Sequence, residues 1–288
     1  MPKKFSKPHL SRIINGDIKL SEIPDKTPKI RLDIALQTKY PEYNRSTIKK
    51  YIKAGQVLVD QNIVKKPNYP VLPESSLELK AQSAIIAPKV PILYEDDNVI
   101  VLDKPIGLLS TSKGAFNPEP TLESYGHIVH RLDRDTSGVI ILAKNNQAKT
   151  YLQKQFQNRK AHKIYHAVVV GHPKLSQAII NVPLARNLKS PTTFQPDPEG
   201  REAITQYKLI SQNNNFSLLE LKPQTGRTHQ IRVHLAHIGS PILGDKIYGK
   251  TSADRMYLHA TSLEITVPGS KRKTFKAPLP IEFKHAVK

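Results

Sequence analysis

His130-Arg131-Leu132-Asp133-Arg134-Asp135-Thr136-Ser137-Gly138 runs without a break into Val139-Ile140-Ile141-Leu142-Ala143. The second part is an uninterrupted apolar run of the length of a buried strand, far short of a membrane span. The first part, with two arginines, two aspartates and a closing glycine, reads as a loop over a sheet edge, where scaffolds commonly present reactive groups. A salt-bridged surface loop would have the same composition. An aspartate flanked by cations, however, stays ionised even in a partly enclosed cleft, as a carboxylate nucleophile must.

Around this stretch, Ile92–Tyr94, Val99–Leu102, Ile164–Val170, Ala203–Ile210 and Phe216–Leu221 are strand-like, as is Val139–Ala143. Residues Gln147 to Arg159 are polar with Leu152 and Phe156 at i and i+4, which predicts a helix. Many strands with few intervening helices favour an α+β sheet over a doubly wound fold. A second polar cluster, Gly226-Arg227-Thr228-His229-Gln230-Ile231-Arg232-Val233-His234, alternates and reads as a short strand with Ile231 and Val233 inward. His229, His234 and His237 invite a zinc reading. Their i, i+5, i+8 spacing suits neither one helix face nor one strand face, and no acidic partner is near, so no metal is expected.

Residues 31–80 read as a small separate unit. Asn44 can cap a helix running from Arg45 towards Ala54, with Gly55 placed to end it. Arg45, Lys49 and Lys53 fall at i, i+4 and i+8 and form one basic stripe beside an apolar face of Ile48, Tyr51 and Ile52. Short strands follow at Val57–Val59, Ile63–Val64 and Leu77–Leu79, with a turn at Asp60-Gln61-Asn62. Residues 1–30 are Lys/Pro-rich and read as a loosely ordered basic tail rather than a transit peptide. Residues 81–91, with Pro88 and Pro91, read as a linker, and 92–288 as the larger domain.

The chain holds 44 Lys+Arg against 24 Asp+Glu, a formal charge of +20. The usual partner for such an excess is a polyphosphate backbone. A membrane-surface protein would want a long basic amphipathic helix or a lipidation signal, and neither is found. Residues 1–90 carry 17 basic and 8 acidic residues (net +9) and 91–288 carry 27 and 16 (net +11). The first third is therefore about twice as basic per residue, which is where a dedicated nucleic-acid module is to be sought. With no cysteine, disulfides, thiolate metal sites and Cys nucleophiles are excluded. No apolar N-terminal stretch suggests a signal peptide, and a soluble cytoplasmic protein is expected.

Ile128-Val129-His130-Arg131-Leu132-Asp133-Arg134-Asp135-Thr136-Ser137-Gly138 resembles the signature of the RluA family of RNA pseudouridine synthases. Lys163-Ile164-Tyr165-His166-Ala167 with Gly171 is similar to its second motif. Leu221-Lys222-Pro223 through Gly226–His234, continued by Gly239, Pro241, Gly244-Asp245 and Tyr248-Gly249, is similar to its third. Leu258-His259-Ala260 and Phe275-Lys276-Ala277-Pro278 fit the family's ending, so the resemblance spans about residues 92–283, in order. Asp103 departs from the uncharged residue more usual before Lys-Pro-x-Gly, and the Ser110–His127 segment is shorter than in many relatives. Arg31-Leu32-Asp33, Arg45-Ser46 and Ile52 through Asp60 resemble the RNA-binding module of small-subunit ribosomal protein four. In that module the basic helix face of Arg45, Lys49 and Lys53 meets folded RNA.

The resemblance implies an α+β protein: a small α/β RNA-binding module, then a catalytic domain on a mixed, mainly antiparallel sheet with a central cleft. It implies isomerisation of uridine to pseudouridine in structured RNA without a cofactor, ribosomal RNA being favoured over transfer RNA, by a monomer. Asp133 would be the catalytic carboxylate, attacking or stabilising C1′ or taking a proton from C2′ while the N1–C1′ bond breaks. Arg232 would pair with it, Arg227 being the rival. Tyr165 would stack on the flipped uracil and its hydroxyl would help remove the C5 proton, Leu258 would form the other wall of the base pocket, and Arg131 would fill the gap the base leaves. A non-catalytic RNA-binding or ribosome-assembly protein would explain the charge, yet not the set Asp133, Tyr165 and Arg232. A methyltransferase would want a Gly-rich cofactor loop, and a nuclease clustered carboxylates.

Overall fold

The computed structural model describes residues 28–41, 43–79, 89–111 and 120–288. The chain divides into two units, Met1–Ala81 and Gln82–Lys288. The expected tail at 1–30 lies outside the described residues apart from Pro28–Ile30, and the expected linker at 81–91 apart from Lys89–Pro91, where Val90 is buried.

The first unit comprises β1 (Ile30–Arg31), α1 (Leu32–Lys39), α2 (Arg45–Lys53), β2 (Val57–Val59), β3 (Asn62–Ile63), β4 (Pro70–Val71) and β5 (Leu77–Leu79). β1 pairs with β4, and β3-β2-β5 form a small antiparallel sheet. Asn44 caps α2 by accepting from the Thr47 N–H at 2.9 Å, and Gly55 leaves the helix at φ 73°. Ile48, Tyr51 and Ile52 are buried, as the apolar face requires. Asp60 and Gln61 take φ of 49° and 67°, the left-handed pair of a tight hairpin. Helix α1 has no counterpart among the expected elements. It rests on Leu32 and Leu36, a single buried i, i+4 pair too short to register as a pattern.

The second unit runs through β6 (Ile92–Glu95), β7 (Val99–Lys104), β8 (His127–Ile128), β9 (Ser137–Ala143), α3 (Asn146–Gln157), β10 (His162–Val170), β11 (Gln177–Asn181), β12 (Leu184–Arg186), β13 (Phe194–Pro196), β14 (Ile204–Gln212), β15 (Phe216–Pro223), α4 (Gln230–His237), β16 (Leu258–Thr266), β17 (Arg272–Lys276) and α5 (Ile281–His285). Its main sheet has the order β11-β14-β15-β10-β16-β9-β7-β6, with β17 on β16 and β8 on β9. Every pairing is antiparallel except β16 with β9, so the sheet is mixed and mainly antiparallel. Two apolar cores flank its centre. One gathers β7, β9 and α3, the other β10, β15, α4 and α5, and Tyr165 packs against both.

The parallel contact is short, His259 opposite Ser137 and Ala260 opposite Gly138. It sets the loop before β9 beside the start of β16. Gly138 makes the approach feasible: its φ is 110°, and a Cβ there would lie 2.2 Å from the Ala260 carbonyl oxygen.

Residues 227–234 do not form the expected strand. His229 adopts a left-handed φ of 57°, and helix α4 starts at Gln230. The Gln230 amide organises this turn, accepting from Thr225 Oγ1 (2.7 Å) and Arg227 N (3.0 Å) and donating to Ile204 O and Thr205 Oγ1 (both 3.0 Å). Residues 230–235 are all buried, so apolar spacing could not report the helix period there.

Replacing Gly138 by Ala should lower stability by more than about 2 kcal/mol, since both backbone strain and a clash with a neighbouring strand must be absorbed. A melting temperature unchanged from the parent would contradict this account of the β9–β16 contact.

Candidate active site

Three neighbouring strands bring the motifs together. The 130–136 loop leads into β9, Leu258 opens β16, Tyr165 lies on β10 opposite both Ala260 and Leu221, and the segment after β15 carries Arg227 and Arg232. Arg131, Asp133, Tyr165, Arg227, Arg232 and Leu258 all line one cleft of about 490 Å³. That volume suits a single nucleotide-sized ligand.

At the cleft wall Asp133 accepts a hydrogen bond from Arg232 Nη1 at 3.3 Å. Arg232 is 5% exposed, and its other face is gripped by Asp245, Nε to Oδ2 and Nη2 to Oδ1, each at 2.8 Å. This bidentate bond fixes the guanidinium plane and leaves Nη1 aimed at Asp133. Burial alone would raise the Asp245 carboxyl. The bonds and charge of Arg232, with the N–H groups of Ile247 and Tyr248, hold it below the usual carboxylate range. Arg232 also lies over the Tyr248 ring, 5.2 Å from its centroid. Of the two candidate arginines it is therefore Arg232 that meets Asp133. Arg227 turns aside and donates from Nε to the Glu202 carbonyl at 2.9 Å.

The loop that carries Asp133 is held from behind by Lys104, which is completely buried. Its Nζ donates to the carbonyls of Pro105 (2.9 Å), Leu108 (2.8 Å) and Arg134 (3.0 Å), the three acceptors an ammonium can serve. Burial pushes the Lys104 pKa down to about 7, while the carboxylates of Asp135 and Asp133 push the other way. Gly107 N donates to Arg134 O (2.9 Å), and Ser110 Oγ donates to Leu132 O (2.8 Å) while accepting from Leu132 N (3.1 Å). Backbone on both sides of Asp133 is thus pinned. Asp103, just before this lysine, has its carboxyl raised by burial, with Arg255's charge opposing.

The remaining walls differ in kind. Tyr165 has its phenol pushed up by burial and by the charge of Asp133, so it stays protonated and presents a neutral ring. His130 is forced neutral, its pKa lowered to about 3 by burial and then by Lys163; its Nε2 accepts from Ile141 N at 3.1 Å and its ring stacks on Phe156. Two of the three histidines that invited a metal have partners of other kinds. His229 Nδ1 meets Tyr248 Oη at 2.8 Å, and His234 meets Thr205 Oγ1 and the Val182 carbonyl. Among the described residues no three His, Cys, Asp or Glu side chains are grouped to hold a metal.

In the first unit the basic stripe is tied to Asp33, which is fully buried. Asp33 accepts from Arg31 Nε and Arg45 Nε at 3.0 Å each, with Lys49 Nζ at 3.7 Å, while Lys53 stands exposed. Burial raises this carboxyl, but the bonds from Arg31 and Arg45 hold it below its ordinary value. Arg45 and Lys49 remain 43% exposed, so they are anchored at one end and open at the other.

No role in this cleft was read from the sequence for Lys104, Asp245, His229 or Lys163. Lys104 had a readable signal, a lysine ending the apolar run Val99–Leu102 just before Pro105. Asp245 had none, since its partner lies 13 residues away. Lys104→Met should take a shared donor from the carbonyls of Pro105, Leu108 and Arg134, the last of which keeps Gly107 N, and a buried carbonyl left unpaired, as at Leu108, costs about 1–3 kcal/mol before relaxation. The expected outcome is a lower melting temperature together with faster hydrogen exchange at residues 132–136.

Residues 98–237 match the family described as RNA pseudouridylate synthase, and residues 30–77 match the S4 domain. The ribosomal large subunit pseudouridine synthase D of Xanthomonas campestris pv. campestris is 35% identical over 96% of this chain and 88% of its own length. Its Haemophilus influenzae counterpart is also 35% identical, over 88% of this chain and 89% of its own. Among solved structures, human RNA pseudouridylate synthase domain containing 1 superposes with a TM-score of 0.58 at 26% identity, covering 66% of this chain and 83% of that one. With the cleft described above and these matches along nearly its whole length, the chain belongs to the RluA-type RNA pseudouridine synthases, enzymes that isomerise uridine in RNA, and it carries an RNA-binding S4 domain ahead of the synthase region.

Proposed function

We propose that this synthase acts on a uridine of large-subunit ribosomal RNA and that Asp133 is the carboxylate that works at the ribose. The observation that carries the assignment is the 3.3 Å bond from a buried arginine to an aspartate on the wall of the cleft. The substrate class is supported by the names of relatives that match almost end to end. We read residues 31–80 as the RNA-binding module and 92–288 as the catalytic domain, a reading supported by the S4 match over 30–77 and the synthase match over 98–237. A cytoplasmic monomer is the simplest setting for it, and no described helix is long and apolar enough to cross a membrane.

In this reading Arg131, exposed two residues before Asp133, inserts its planar guanidinium into the RNA stack as the uridine swings out. The everted uracil stacks on Tyr165, with Leu258 opposite; base–aromatic stacking contributes about 1–3 kcal/mol. Arg227 meets a backbone phosphate, as do Arg45, Lys49 and Lys53. Asp133 faces C1′, negative and aimed by Arg232, as the N1–C1′ bond lengthens and positive charge grows on the sugar. Either direct attack on C1′ or proton removal from C2′ could follow from that position. The uracil then turns and bonds through C5, so the net change is an isomerisation in which water is not consumed. Tyr165, kept protonated, serves here as a stacking surface and hydrogen-bond donor rather than as a phenolate base.

Asp133→Asn should lower the single-turnover rate by at least about 10³-fold with RNA affinity within a few-fold of the parent. Pseudouridine mapping in large-subunit ribosomal RNA from cells with and without the gene reads out both chemistry and target; a variant that still forms the product would remove Asp133 from the mechanism. For the module, Lys49→Gln with Lys53→Gln should weaken RNA binding alike across sequences and flatten its salt dependence by up to about two units of slope. Arg45 is left intact in that test because it is a near partner of buried Asp33.

A further inference from the structure

Lys163 lies on β10 two residues before Tyr165, so the two side chains share one face of the strand, and both line the cleft. It is half-buried. Its one hydrogen bond among the described residues is a long one to the Thr225 carbonyl, 3.4 Å, and no carboxylate there comes within ion-pair distance. Gly226 stands beside it: a Cβ at that position would touch Nζ at 3.7 Å, and the glycine leaves that spot free of a side chain. A lysine in the wall of a cleft, without an acid and with donors to spare, needs an incoming group to bind. Lys104, by contrast, has all three donors matched.

We propose that the Lys163 ammonium is a catalytic group for the leaving base, donating a hydrogen bond to a carbonyl oxygen of the everted uracil. This rests on the reading of the cleft given above. When the N1–C1′ bond breaks, its electron pair stays with the base, and the negative charge spreads from N1 onto the carbonyl oxygens. Asp133 stabilises the sugar side of the break, and a cation next to Tyr165 stabilises the base side. No proton leaves Lys163 in this step. After the base turns, C5 forms the new bond to C1′, the C5 proton is lost and N1 gains one, so atoms and charge balance for an isomerisation. An ammonium whose bond strengthens as charge develops lowers the barrier rather than merely binding substrate.

The electrostatic surroundings agree. Burial lowers the Lys163 pKa to about 8. Sharing the cleft wall with it are Arg131 and Asp133 of the loop before β9, Arg159 after α3, Arg227 and His229 after β15, and its strand neighbour Tyr165. His130 is neutral with a pKa near 3, His229 is lowered by burial despite Asp133, and Tyr165 is raised. Deprotonation of Lys163 on going above pH 8 would remove the donor, so the rate falls as pH rises.

The test uses the full chain, saturating enzyme and a ribosomal RNA fragment that the parent modifies. Lys163→Met should reduce the single-turnover rate by about 10²-fold with RNA affinity and its salt slope unchanged, while Lys163→Arg keeps most of the rate. The parent rate should decline through about pH 8, and the Met variant should lose that decline. An unchanged rate at saturation with weaker affinity and a salt slope smaller by about one would make Lys163 a phosphate contact and overturn the proposal; so would no change in either. If Lys163→Met does not fold, Lys163→Gln decides by the same readouts of rate, affinity and salt slope. An active Asp133→Asn would instead bring down the reading of the cleft itself, which keeps the two failures apart.

Discussion

A buried arginine held between two aspartates organises the synthase unit. Arg232 and Asp245 are 5% and 2% exposed, so each has surrendered most of its hydration. Such a pair is stable only if the geometry is good and the leftover donors and acceptors are satisfied. Here two parallel bonds at 2.8 Å join the pair, two backbone N–H groups bond Asp245 Oδ1, and Nη1 of the guanidinium turns to Asp133. Removing one member would strand a charge in a dry place, at about 3–5 kcal/mol. The pair does more than hold the fold: it sets the direction of the carboxylate proposed to do the chemistry.

Fixing that carboxylate also requires its own backbone to be still. The loop from Arg131 to Thr136 has no regular structure, and an unsupported loop of this kind would wander by more than a catalytic contact tolerates. Lys104, Ser110 and Gly107 hold the main chain at Leu132 and Arg134, one residue to either side of Asp133. The close β9–β16 approach at Gly138 anchors the loop's far end. In the proposed mechanism the nucleotide is the mobile partner, since it must leave its stack to reach a site held in this way.

The first unit repeats the principle of a buried acid that orders cations. Asp33 has no solvent contact, yet Arg31, Arg45 and Lys49 reach it from half-exposed positions. An arginine anchored at one nitrogen loses less side-chain freedom when a phosphate arrives at another, so the face is prepared for a polyanion. The charge of +20 supplies attraction at long range, and pre-ordered cations convert it into a docked position.

Much of this was legible in the amino-acid string. The order of motifs, the excess of positive charge, the N-cap at Asn44, the apolar face of α2 and the strands at 99–102, 139–143, 164–170 and 216–221 are local or compositional, and local signals survive without a structure. What failed was non-local. The segment at 227–234 alternates like a strand, but a left-handed His229 and the Gln230 amide, bonded to residues from 204 to 227, make it a helix buried on nearly every side. The choice between Arg227 and Arg232, left open by the sequence, depended on where Asp245 and Glu202 lie. Sequence alone determined which chemical groups are available and the order in which they occur. Only the tertiary structure decided which of them face each other, because hydrogen bonds and ion pairs act over about 3–4 Å in space whatever the distance along the chain.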